Sequence, residues 1–142
     1  MIKASISGAE RARFKAWTRT LTAENQAQAR NILIRSTMMF EKYAKLQAPV
    51  DTGRLRSSFM VSYSPNKLGS TTLLNAHYAP YMEFGTGKYV KILSGYEDIA
   101  AQFRGRGIRE VNIRPRAFFY HNFERVSKAM INDFKRLGFK EA

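Results

Sequence analysis

Apolar residues recur along this chain with two different periods, and the switches between them divide it into three parts. From Ala9 onward, Phe14, Trp17 and Leu21 fall three and four residues apart, on one side of a helix, while Arg11, Lys15 and Arg19 line another side. A longer helix is predicted from about Thr22 to Gln47, with Leu33, Ile34, Thr37, Met38, Phe40 and Ala44 as its apolar face. Pro49 ends it, because the residue before a proline is pushed out of the helical region.

The period then shortens to two. Phe59, Val61 and Tyr63 alternate with Met60, Ser62 and Ser64, as in a strand with one covered face. Ser64 to Ser70 supplies turn residues, and a second strand from Thr71 to about Tyr78 completes a hairpin. Further short strands are expected at Tyr89 to Leu93 and Ile108 to Ile113, with mobile stretches at Ser94-Gly95-Tyr96 and Arg104-Gly105-Arg106-Gly107. In the last part Phe119, Phe123, Val126, Met130, Phe134 and Leu137 form one helical stripe that Gly138 ends, with Pro115 near its start.

Helices, strands, then a helix predict an α+β fold. Helices at about 9–47 and 116–137 pack on one face of a mostly antiparallel sheet. The sheet region is expected at about 54–113, with a long flexible loop or hairpin at about 85–113 whose basic arm covers about 88–113. At 142 residues the chain reads as a single domain, 1–142, with a modest core.

Charge changes the picture more than composition does. With 24 Lys+Arg against 11 Asp+Glu the formal net charge is +13, which draws the chain toward polyanions or acidic protein faces. The absence of cysteine excludes disulfides and thiolate metal sites. No window reaches the roughly 18 apolar residues of a membrane span, and Met1 to Ser5 lack an apolar signal core. No membrane contact is therefore expected, and assembly in the cytoplasm is.

Catalytic patterns are missing. His77 and His121 have no Ser, Cys or second His at a useful spacing, and Asp51, Asp98 and Asp133 form no metal-binding cluster. Glu83-Phe84-Gly85-Thr86-Gly87 contains Gly-x-Gly without the rest of a dinucleotide or phosphate-loop pattern, so it reads as a strand ending in a turn. Asp51-Thr52-Gly53 after Pro49 reads as a turn as well. No catalytic residue, cofactor or metal is assigned.

Three places carry charge in positions suited to contact. Arg54 and Arg56 flank Leu55 where a strand is expected to begin, and suit bidentate bonds to carboxylate or phosphate. Glu83 is an acid amid aromatics, expected in a salt bridge or as a turn cap, within the protomer or across a subunit boundary. Arg104, Arg106, Arg109, Arg114 and Arg116 make the densest basic run, suited to phosphates or to a neighbouring subunit, or simply exposed to solvent.

Three segments, Ala48-Pro49-Val50-Asp51-Thr52-Gly53-Arg54-Leu55-Arg56-Ser57-Ser58, Tyr78 to Gly87 and Ile113 to Phe119, resemble in content and order the tailed-bacteriophage neck and tail-completion family typified by gene product 10 of phage HK97. Pro49, Asp51, Thr52, Gly53, Gly85, Thr86, Gly87 and Pro115 match its structural turns, and the stretch from Lys88 to Asn112 is where this chain departs from it. The resemblance implies a virion structural protein working as a homo-oligomeric ring, expected as a hexamer, in the neck or at the head-proximal end of the tail. Its implied partners are head-connector, tail-terminator or tail-tube proteins, with axial DNA as a non-specific contact. A small basic protein that binds nucleic acid without sequence preference is the alternative that charge alone supports.

Overall fold

The computed structural model describes residues 2–4, 8–48, 53–85, 91–101, 115 and 117–140, with only the backbone at 2–4, 8 and 9. The elements in chain order are β1 (Ile2–Ala4), α1 (Gly8–Arg19), α2 (Ala23–Gln47), α3 (Arg54–Ser57), β2 (Phe59–Tyr63), β3 (Ser70–Leu74), α4 (Ala79–Phe84), α5 (Glu97–Ala101) and α6 (Tyr120–Arg136). The α+β class expected from the periodicity holds.

Local chemistry accounts for the boundaries of α2. Thr22 caps its start by accepting a hydrogen bond from the Asn25 N–H at 3.2 Å. At its end Ala48 is extended (φ −62°, ψ 139°), as a residue before proline should be. The Gln26 amide donates to the Thr18 carbonyl at 3.0 Å and ties α1 to α2.

The sheet has three antiparallel strands in the order β1-β3-β2. Phe59 lies opposite Leu74 and Val61 opposite Thr72, so these residues share a face with the buried Phe59, Thr72 and Leu74 turned inward. The hairpin turn closes through Ser64 N–H to the Gly69 carbonyl at 2.9 Å. Asn66 caps it locally, and Arg30 of α2 donates to the Asn66 carbonyl at 2.9 Å. Thr37 and Ser70 share a hydroxyl hydrogen bond at 2.8 Å, so the hairpin is pinned to α2 twice.

Buried residues form two clusters. One joins Phe40, Leu55, Phe59, Leu74, Phe84, Phe118, Phe119 and Tyr120 near the sheet. The other gathers Ala29, Leu33 and Phe134, with Phe14, Trp17, Leu21 and Phe139 packed against them. Ring pairs such as Phe14–Phe134 at 4.8 Å and Phe40–Phe119 at 5.2 Å hold helices together across long stretches of sequence.

Several expectations need correction. Arg54 begins a four-residue helix, not a strand, because Gly53 at φ 73° turns the chain sharply into α3. The second hairpin strand stops at Leu74, and residues 79–84 coil into α4, with Pro80 in its first turn. Lys91 to Leu93 are not a strand, and α5 interrupts the expected long loop. Ser94-Gly95-Tyr96 is anchored rather than loose: the Tyr96 ring lies 4.4 Å from Tyr120, and the Gly95 N–H donates to Glu97. The last helix starts at Tyr120 and not beside Pro115, since Phe118 and Phe119 are needed as buried anchors ahead of it. Strand β1 was not foreseen, and the expected strand at Ile108 to Ile113 lies outside the described residues.

Candidate assembly interface

The EFG part of the second motif is built into the interior. Helix α4 is only six residues long, with Ala79, Pro80, Glu83 and Phe84 buried. This turns the Glu83 carboxylate, 4% exposed, away from solvent and onto the start of α6. There Oε2 accepts the Phe118 and Phe119 N–H groups, both at 3.0 Å, and Oε1 accepts the Tyr120 N–H at 3.1 Å.

Helix α6 has no side-chain cap of its own at Phe119. The carboxylate satisfies the first amide of α6, at Tyr120, and those of the two residues leading into it, Phe118 and Phe119, while meeting the positive end of the helix dipole. Burial pushes the Glu83 carboxyl above its usual range, against which the three amides and His121 pull it back down. Glu83 was expected in a salt bridge or as a turn cap; instead it caps a helix start 35 to 37 residues away.

A second bond set braces the same corner. Asn122, fully buried, donates to the Phe118 carbonyl at 2.7 Å and to Gln47 of α2 at 3.0 Å. Tyr96 packs against Tyr120 with the rings tilted by 33°, and burial, then Glu124 and Glu83, raise the pKa of its phenol. Gly85 ends α4 at φ 76° and ψ 176°, and its N–H donates to Tyr81. That conformation belongs almost wholly to glycine.

The predicted contact residues divide by location. Arg54 is exposed on α3, whose Leu55 is buried in the first cluster. Arg56 is half-buried, and its Nε has no hydrogen-bond partner among the described residues. Glu83 does not reach the surface, and Pro115 is half-buried ahead of the Phe118–Phe119 anchor. Pro49, Asp51, Thr52, Thr86, Gly87, Arg104, Arg106, Arg109, Arg114 and Arg116 lie outside the described residues. Among the described residues no group of three or more His, Cys, Asp or Glu could hold a metal ion, and no helix is long and apolar enough to cross a membrane.

Sequence reasoning missed the pairing of Glu83 with α6, although a signal for it existed. Ala117-Phe118-Phe119-Tyr120 opens a strongly patterned helix without Ser, Thr, Asp or Asn, and such a start needs an acceptor from elsewhere. The aromatic joint between α1 and α6 was half visible, since both stripes were read but not matched to each other.

Among the described motif residues, Gly53 and Gly85 turn the chain and Glu83 caps the start of α6, so all three hold its shape. The chain belongs to the HK97-gp10-like family, described as "Bacteriophage HK97-gp10, putative tail-component", which matches residues 12–85. This span runs from α1 to the glycine closing α4 and includes Arg54, Arg56 and Glu83. No curated protein and no solved structure matches the chain. A phage tail component belongs to the virion and contacts other virion proteins.

Proposed function

We propose that the protein forms a ring in the neck or at the head-proximal end of the tail and joins the head connector to the tail tube. The observation that carries this reading is the family match over residues 12–85, which holds the Gly53 turn, α3 and the Glu83 clamp in one block. Charge supports it: copies bearing +13 each repel one another unless acidic partners or axial DNA balance them, so the ring, six-fold in this proposal, is completed by its neighbours. It is assembled in the host cytoplasm and does no catalysis.

Within this proposal Arg54 and Arg56 make subunit or partner contacts, as do Arg104, Arg106, Arg109, Arg114 and Arg116. Glu83 supports them from inside by fixing α4 against α6. Electron microscopy of particles made without the protein tests the reading: separate heads and tails are expected, and correctly joined virions would overturn it. Joined virions, together with steeply salt-dependent DNA binding by the free monomer, would favour the nucleic-acid alternative.

A further inference from the structure

The apolar stripe of α6 is not used up by the protein's own core. At its two ends Phe119 and Phe134 are 0% and 2% exposed, and each belongs to a different cluster. Phe123, Val126 and Met130 between them are only half-buried. They line a cavity of about 790 Å³ that also borders Leu33 and Phe40 of α2. Packed interiors leave few voids larger than a water molecule, whereas sites that hold a ligand run to about 300–1,000 Å³. The gap has the size of a binding groove.

Its rim is cationic. Arg11, Arg13 and Lys15 of α1 border it and are exposed, against one lining acid, Glu10. An apolar floor under a basic rim suits an amphipathic segment whose large side chains enter the groove while its carboxylates meet the rim. We propose that this groove receives an apolar, acidic segment of a neighbouring virion protein.

The rim and the net charge argue against other occupants. A second copy would add another +13 and bring only 11 acidic residues to share. Nucleic acid would place phosphates over Phe40, Phe123, Val126 and Met130, which offer them no hydrogen-bond donor from their side chains. The inference rests on membership of a tail assembly but not on a ring or on a position in the neck.

The test places a photoreactive benzoylphenylalanine at Met130 in the full chain, assembles particles, and maps the cross-link by mass spectrometry. The expected product joins position 130 to a segment of a different virion protein that carries both apolar and Asp/Glu residues. Filling the groove with Val126→Trp, with the probe kept at position 130, should cut that yield about tenfold or more, as should reversing the rim with Arg11→Glu and Lys15→Glu. Both rim residues are exposed, so this pair keeps the test sound where Val126→Trp fails to fold. A cross-link to a second copy or to DNA, no cross-link, or undiminished yield in the rim variant would overturn the proposal. Correctly joined virions in the absence of the protein would remove the joining role while leaving the cross-link readout intact.

Discussion

Three amides at the start of α6 depend on one carboxylate, and truncating it leaves them buried without acceptors. Glu83→Ala should cost roughly 3–5 kcal/mol, read as a lowered urea midpoint at unchanged slope. The pH dependence follows from the sign of the shift. Burial raises the folded-state value above the ordinary 4.5, so protonation favours the folded state. The contribution of Glu83 is complete below the unfolded value and is lost as pH rises through the folded one. Wild type should therefore lose stability relative to Glu83→Gln as pH rises above the ordinary 4.5, and a difference that stays flat as pH rises would contradict the assignment. The two described glycines of the motifs should behave differently. Gly85→Ala, at a buried position with φ 76° and ψ 176°, should cost about 1–3 kcal/mol. Gly53, at φ 73° with open space around a would-be Cβ, should accept Asn at a smaller cost than Ala, as thermal melting can show.

Long helices were legible in the sequence because each repeats its pattern enough times to be read. Helix α2 spans Ala23 to Gln47, within one residue of the predicted bounds, and α6 shows the predicted stripe through the Gly138 stop, where φ is 107°. A three-residue strand and helices of four to six residues complete no such repeat. For that reason β1, α3, α4 and α5 were missed or read as strands and loops. The start of α6 was misplaced for a different reason: Pro115 is a sound helix-opening residue, but tertiary burial of Phe118 and Phe119 overrides it. The joint between α1 and α6 gives a prediction at this scale. Phe134 contacts both Phe14 and Trp17, so Phe134→Ala should cost about 3–5 kcal/mol. Hydrogen exchange should speed up in α1 first, since the second cluster is what holds that helix, while β2 and β3 keep their protection.

Across the whole molecule, the two clusters and the clamp separate what must stay fixed from what can vary. Arg54 and Arg56, the proposed contact residues, ride on α3 through the buried Leu55, so their placement follows the first cluster. The site was less legible than the fold for the same reason: Arg54 and Arg56 stand out by charge, but the acceptor role of Glu83 depends on residues more than thirty positions away. The carboxylate of Glu83 also acts as a staple on a polymer, fixing the start of α6 whatever the length of chain that precedes it. Doubling the connection between Ala101 and Ala117 with a Gly/Ser insertion should cost only about 0.6 kcal/mol in urea unfolding. A large loss would show that the connection itself carries the fold. Related chains could therefore lengthen, shorten or exchange this stretch as a cassette, acquiring a new neighbour in the particle without having to reinvent the body that carries it.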